Sequence, residues 1–187
     1  MIPDSLDSAG FTINMLRYVS RREAQTRSVV VNGSNRLRNH VDSTYALGYV
    51  FGVYASIGLA TLVSNSRGQV FFRPKEGIFG VRRKLLLANH LRDSFNLRIK
   101  FRIRSKRPGK EEAIVHCRPL AKLFYEFGKR QERHIPDKYL VKNPPYLKGL
   151  IDGIEDYKGH YRWGKSFYPD VMLCYEFVKG WLTDLGY

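Results

Sequence analysis

The chain has 187 residues, of which 43% are hydrophobic, so it is long enough to bury one sizeable core. Its 32 Lys and Arg residues outnumber its 17 Asp and Glu residues, which gives a formal net charge of +15 and indicates a polyanionic partner. Nucleic acid is favoured over a membrane surface, because the sequence has no apolar run of membrane-spanning length. Cys117 and Cys174 lack the second pair that a zinc site needs, so we expect buried, reduced thiols in an intracellular protein.

The first 43 residues are predicted to form an extension before the main fold. The segment "LDSAGFTINMLRYVSRRE" predicts a helix, with Asp7 or Ser8 as its N-terminal cap and Phe11 among its apolar positions. The segment "SVVV" then predicts a short strand that ends in a turn at residues 32–34.

Two helices with glycines at four-residue intervals frame the rest of the chain. Ser43 and Thr44 are predicted to cap "YALGYVFGVYASIGLATL", which is apolar on all sides, and a second helix is predicted to start at Pro144. Small residues spaced by four form a groove on one ridge of a helix, so another backbone can approach closely. The small residues predicted to pack at this helix seam are Gly48, Gly52, Ser56, Gly149 and Gly153. Aligning "VFGVYASIG" with "LKGLIDGIE" gives an offset of 149 − 52 = 97 residues and suggests an internal duplication.

Between these helices the pattern predicts strand, helix, hairpin and helix in that order. The respective segments are "QVFFRPK", "GVRRKLLLANHLRDSF", "NLRIKFRIRSKR" with "EEAIVHC", and "RPLAKLFYEFG". Residues 97–104 alternate strictly between apolar and cationic side chains, and like charges on one strand face repel each other unless a polyanion is bound. The predicted DNA contacts are Arg73, Lys75, Arg98, Lys100, Arg102, Arg104, Lys106, Arg107, Arg162 and Lys165.

The paired glycine-bearing helices and the order of elements between them resemble the LAGLIDADG homing endonucleases. "GLIDG" at residues 149–153 is similar to the family motif, and "LGYVFGVYASIG" resembles the looser first motif of single-chain members. The resemblance implies an α+β fold of two αββαββα halves about a pseudo-two-fold axis, with the sheets saddling DNA. It implies a first half over residues 44–142 and a second, shortened half over residues 143–187.

The resemblance also implies where metal-binding acids should stand. In the family, the acidic eighth residue of each motif helps to hold the divalent metals that cleave phosphodiesters. Aligning the two motifs with the offset of 97 residues puts Ile57 and Ile154 at these positions, and neither can bind a metal. We therefore expect no catalytic residue, no metal and no cofactor, although Asp152, Glu155 or Asp156 could serve a non-standard Mg²⁺ site.

Three functions remain open on the sequence. The favoured one is a protein that binds nucleic acid, with duplex DNA preferred to RNA, and has lost cleavage. The others are an active magnesium-dependent endonuclease, and an RNA-binding maturase-like or transcription-regulatory protein. An intron, intein or phage association is implied by the family, and a homodimer or a protein partner is expected to complete the shortened second half.

Overall fold

The computed structural model describes residues 10–19, 30–31, 35–64, 67–74, 79–104, 109–129, 132–158 and 168–187. These residues form an α+β fold with antiparallel strands. The α-helices are α1 Tyr45–Ile57, α2 Val81–Phe95, α3 Arg118–Tyr125, α4 Pro144–Lys158 and α5 Pro169–Asp184. The strands are β1 Thr12–Asn14, β2 Val30–Val31, β3 Asn35–Arg36, β4 His40–Asp42, β5 Gly58–Leu62, β6 Gly68–Phe72, β7 Lys100–Ile103 and β8 Glu111–His116. Short 3-10 helices span Met15–Tyr18 and Asp137–Tyr139.

The N-terminal extension differs from the prediction. Residues 12–14 form β1, which pairs antiparallel with β4, and only Met15–Tyr18 is helical, as a 3-10 turn. The apolar residues Ile13 and Met15 are both buried and stand two apart, which is the spacing of a strand. The predicted helix over this part is therefore wrong, and the caps proposed at Asp7 and Ser8 lie outside the described residues.

Helix α1 is the buried centre of the fold. The side chain of Thr44 accepts a hydrogen bond from the Leu47 amide, so the predicted cap is confirmed. Every residue from Leu47 to Ile57 is buried. The helix passes at Gly58 directly into β5, with no intervening loop.

Strands β5 to β8 form one four-stranded antiparallel sheet in the order β5-β6-β8-β7. Its inner face is apolar, and its members include Val70, Phe72, Ala113 and Val115, all nearly inaccessible. Helices α2 and α3 cover this face: Lys84 of α2 lies over the Phe101 ring, and Gly68 of β6 touches α3 at Arg118. The other side of the sheet, called the outer face below, has none of these helices on it.

The seam between α1 and α4 is a backbone-to-backbone contact. A Cβ atom added at Gly48 would lie 2.0 Å from the Tyr146 carbonyl oxygen, and one added at Gly52 would lie 2.2 Å from that of Leu150. Cβ atoms added at Gly149 and Gly153 would likewise lie 2.1 and 2.3 Å from the carbonyl oxygens of Tyr45 and Tyr49. Any side chain here would push the helices apart, so glycine is required at these four positions.

The reciprocal contacts correct the alignment of the two motifs. Gly48 makes the same contacts with α4 as Gly149 makes with α1, and Gly52 and Gly153 are related in the same way. Equivalent positions of the two helices therefore differ by 149 − 48 = 153 − 52 = 101 residues. The predicted offset of 97 was one helical turn too short. Ser56, which the shorter offset placed at the seam, is buried, and its hydroxyl donates a hydrogen bond to the Gly52 carbonyl of its own helix. The residue of α1 that corresponds to Ile154 is therefore Val53 rather than Ile57.

Candidate nucleic-acid interface

The outer face of the sheet carries a group of cations that lie on, or directly after, two of its strands. Lys100 and Arg102 lie on β7, Arg104 follows that strand, and Arg73 follows β6. The backbone of Arg104 continues the β7–β8 hairpin, because its amide bonds the Lys110 carbonyl at 2.7 Å. The Arg73 amide bonds the Ile57 carbonyl at 3.0 Å, which extends the pairing of β6 with the end of α1. Main-chain hydrogen bonds to neighbouring segments therefore fix the backbone of both Arg73 and Arg104.

A single glutamate stands at the centre of this group. Glu112 of β8 is opposite Arg102 in the register and is 3% exposed. Arg73 donates from Nε to Glu112 Oε2 at 2.8 Å, while Arg102 donates from Nε and Nη2 to Oε1 at 3.0 and 2.8 Å. Arg104 Nε lies 3.9 Å from the same carboxylate. One buried acid therefore orients three arginines, a set that we call the arginine cluster.

The electrostatics of the outer face are dominated by positive charge. Burial acts to raise the pKa of Glu112, but hydrogen bonds and charges from Arg102 and Arg73 outweigh it and hold the pKa below its usual value. The pKa of the neighbouring His116 is also lowered, first by burial and then by the charges of Lys100 and Arg102. An ionised Glu112 cancels only one of the charges around it, so the face keeps a net positive potential.

The cluster leaves cationic surface open to solvent. The Arg102 side chain is 60% exposed despite its two bonds to Glu112, whereas those of Arg73 and Arg104 are 32% and 21% exposed. Arg98 and Lys100 are exposed, and neither makes an ion pair with any described residue. Arg73 also lies over the Phe71 ring at 4.4 Å, so its guanidinium covers an apolar position of the outer face.

The structure brings together five of the ten cations predicted to contact DNA: Arg73, Arg98, Lys100, Arg102 and Arg104. Two details differ from the prediction. The strand is shorter than the alternating segment, so Arg98 precedes it, and Ile103 is 57% exposed rather than part of the core. Arg73 follows β6, which is separated from β7 by β8. Lys75, Lys106, Arg107, Arg162 and Lys165 lie outside the described residues.

Glu112 and the buried Arg133 were missed by the sequence analysis. For Glu112 the signal was its place in the second strand of the predicted hairpin, although the register that puts it opposite Arg102 was not predicted. Arg133 gave no such signal, because it lies in a charged segment that reads as solvated surface. It is 2% exposed and donates from Nη1 to the carbonyls of Tyr54 and Gly58 at 2.8 and 2.6 Å, which caps the C-terminal end of α1.

The residues at the positions where the resemblance implies metal-binding acids are apolar and buried in this fold. Ile57 is 3% exposed, and Ile154 and Val53 are fully inaccessible. All three belong to the hydrophobic core. Hydrocarbon side chains offer no ligand atoms to a divalent cation, so these positions do not fit a metal.

The three carboxylates considered as substitutes have other hydrogen-bond partners. Asp152 accepts from the Tyr45 hydroxyl at 2.7 Å and pairs with Lys148. Asp156 accepts from the Tyr49 hydroxyl at 2.5 Å, and Glu155 accepts from Tyr175 and Lys179. Within the described ranges, no group of three His, Cys, Asp or Glu residues could hold a metal ion. The donor set of this region therefore does not match the Mg²⁺ site that the resemblance implies.

No protein-family model matches the chain, and no curated protein matches it. None of the helices in the described part of the chain is long and apolar enough to cross a membrane.

Proposed function

We propose that this chain binds nucleic acid, with duplex DNA preferred, through the outer face of its four-stranded sheet, and does so without metal-dependent cleavage. The observation that carries the proposal is the arginine cluster together with the exposed Arg98 and Lys100. Folding alone would not favour a strand face with cations at every outward position, because they repel each other. A phosphate backbone supplies the counter-charge, and a β-ribbon fits the major groove of B-form DNA.

The fold that we propose is a LAGLIDADG-type one. Its support is the order α1-β5-β6-α2-β7-β8-α3, which is the αββαββα order implied by the resemblance, followed by α4. The reciprocal glycine contacts between α1 and α4 provide further support, because two helices related by a local two-fold axis make such contacts. The apolar residues at positions 53, 57 and 154 favour a binder over a nuclease.

The test is a titration of the full-length chain with labelled duplex DNA over a series of salt concentrations. We expect log Kd to change linearly with log salt, with a slope of about 0.9 for each phosphate neutralised. The double variant Arg98→Ala/Lys100→Ala removes two exposed cations that do not bond Glu112. It should weaken binding at all sequences and reduce the slope by about 1.8.

The matched control is Arg82→Ala/Arg92→Ala, which removes the same charge from exposed positions of α2 on the opposite side of the sheet. If the two double variants lose equal affinity, binding reports net charge only and the proposed face is wrong. Folded RNA in place of DNA distinguishes the two polymers, and incubation of the complex with Mg²⁺ followed by strand analysis tests for residual cleavage. A cut strand would overturn the part of the proposal that excludes cleavage.

A further inference from the structure

A cleft of about 290 Å³ lies on the surface away from the sheet, between α5 and the segment that precedes α4. Its apolar walls are Ile135, Leu140, Leu173 and Phe177, and two aspartates, Asp137 and Asp170, stand beside them. Ile135 and Leu140 are buried, so they form the floor, while Leu173 and Phe177 of α5 are 67% and 42% exposed. We call this feature the acidic cleft.

The chemistry of the acidic cleft is opposite to that of the rest of the chain. Among the described residues that line it, two are acidic, one is His134 and none is lysine or arginine, although the chain as a whole carries a net charge of +15. Asp170, Leu173 and Phe177 recur at the spacing of one helix face, so the acid and the exposed apolar side chains form one continuous strip on α5. A strip of this kind matches a partner that presents apolar and basic groups together.

The size of the acidic cleft favours a side-chain anchor over a cofactor. Small-molecule sites usually enclose about 300 to 1,000 Å³, so this cleft is at or below the lower limit. It does have room for one large apolar side chain, which is how protein partners anchor themselves. Burial and the nearby charge of Asp137 raise the pKa of the Cys174 thiol to about 12, so the thiol in the cleft wall is protonated and the cleft offers binding rather than a nucleophile.

We propose that the acidic cleft is a docking site for a basic protein segment that inserts a large apolar side chain between Leu173 and Phe177. Asp137 and Asp170 pair with the flanking lysines or arginines of that segment. Nucleic acid does not fit, because phosphates would meet the two carboxylates. A second copy that docked cleft to cleft across a two-fold axis would bring the acids of the two copies together, which like charges disfavour. The inference does not depend on the proposed function of the sheet.

The experiment uses the full chain and three short fluorescein-labelled peptides. The first has a central tryptophan and leucine between lysines, the second has alanines in place of the two apolar residues, and the third has glutamates in place of the lysines. We expect the first peptide to bind in a fluorescence-anisotropy titration, and the other two to bind at least about tenfold more weakly. Failure of the first peptide to bind would overturn the proposal.

Protein variants then locate the site. Asp137→Asn/Asp170→Asn removes two charges and keeps the shape of the side chains, and we expect it to weaken binding of the first peptide about tenfold. The control Glu176→Gln/Asp184→Asn removes two charges from exposed positions of α5 that do not line the acidic cleft, and it should leave affinity within about twofold. Equal losses in both variants would mean that the peptide senses only the overall charge, which contradicts a docking site.

Phe177→Ser tests the apolar anchor separately. Because Phe177 is partly exposed, the fold should tolerate the change, and thermal unfolding of the variant verifies this. Peptide affinity should fall about tenfold while the unfolding temperature stays close to that of the unaltered chain. Sedimentation equilibrium is measured on both proteins, and a dimer that disappears in Phe177→Ser would overturn the proposal in favour of a second copy as the occupant.

Discussion

At the scale of single residues, Glu112 determines how the outer face of the sheet is arranged. Without it, Arg73, Arg102 and Arg104 would share a small area with no counter-charge between them. The buried carboxylate fixes the guanidinium groups of Arg73 and Arg102 through three hydrogen bonds and leaves much of Arg102 exposed. If the outer face binds nucleic acid as proposed, this ion pair orders the cations beforehand, so fewer side chains need to be ordered on binding.

The substitution Glu112→Gln tests this role through stability. It keeps the shape of the side chain but loses the charge, and we expect the free energy of unfolding to fall by about 1 to 3 kcal/mol at pH 7. The folded-state pKa of Glu112 is depressed, so its contribution is present above the unfolded pKa and is lost as the pH falls through the folded pKa. Urea unfolding at a series of pH values should therefore show a difference at pH 7 that shrinks below about pH 4.

The control for this prediction is Glu176→Gln on the exposed surface of α5, which should change stability by less than about 0.5 kcal/mol. A constant difference between Glu112→Gln and the unaltered chain from pH 7 to pH 3 would show that the charge of Glu112 is not what stabilises the cluster.

Part of the arrangement of charges on the outer face could be predicted from the sequence. Strict alternation over residues 97–104 predicted a cationic strand face, and the structure places Lys100, Arg102 and Arg104 on one side. The balancing acid was overlooked because it lies on the next strand, and its position depends on the register of the hairpin. Arg133 could not have been predicted, since only the tertiary fold brings the carbonyl end of α1 to it.

At the scale of elements, the four glycines decide how α1 and α4 meet. The spacing of four residues was readable from the sequence, but it fits two registers that differ by a single turn. Ser56 extends the series in α1 as a small residue, so composition does not distinguish the registers. The carbonyl contacts of Gly48 and Gly149 select the offset of 101. The predicted register of α1 against α4 is therefore displaced by one turn, although the four glycines do lie between the two helices.

The substitution Gly52→Ala is expected to reduce the free energy of unfolding by about 3 kcal/mol or more, because its Cβ would lie 2.2 Å from a backbone oxygen that cannot rotate away. Gly180→Ala in α5 is the matched control: no atom lies within 4 Å of the added Cβ, so the change should stabilise the helix by up to about 1 kcal/mol. Chemical denaturation measures both. A Gly52→Ala protein as stable as the unaltered chain would show that the helices do not touch there.

The hydrophobic pattern of the N-terminal extension did not allow β1 to be distinguished from a helix. The apolar residues of positions 11–19 fit helical periodicity about as well as alternation, and no local feature decides between them. The pairing of Ile13 with Val41 decides it, together with the hydrogen bond from the Thr12 hydroxyl to Asp42. These partners lie about thirty residues away in the chain, beyond any local window.

At the scale of the whole molecule, two surfaces of opposite charge stand on different elements. The arginine cluster belongs to the outer face of the sheet, whereas the acidic cleft belongs to α5 and the segment before α4. The total charge predicted a polyanion partner, but total charge could not reveal an acidic surface within a basic chain. Only the fold separates the two signs in space.

If both proposals hold, duplex DNA and the basic peptide should bind at the same time. A ternary complex is expected in sedimentation velocity, and saturating DNA should change the affinity for the labelled peptide by no more than about twofold. The measurement needs a salt concentration at which the free peptide does not bind the DNA itself. Displacement of the peptide by DNA under that condition would place both ligands on the same surface.

The direct passage of α1 into β5 links the seam to the sheet mechanically. The Gly58 amide donates to the Tyr54 carbonyl, and the Ile57 carbonyl accepts from the amide of Arg73, the first residue after β6. Hydrogen bonds therefore connect the last turn of the helix to the sheet. Arg133 also donates hydrogen bonds to this junction, at the carbonyls of Tyr54 and Gly58. Opening of the seam would have to break these bonds as well, so amide hydrogen exchange in α1 and β5 should proceed through one shared opening event rather than two.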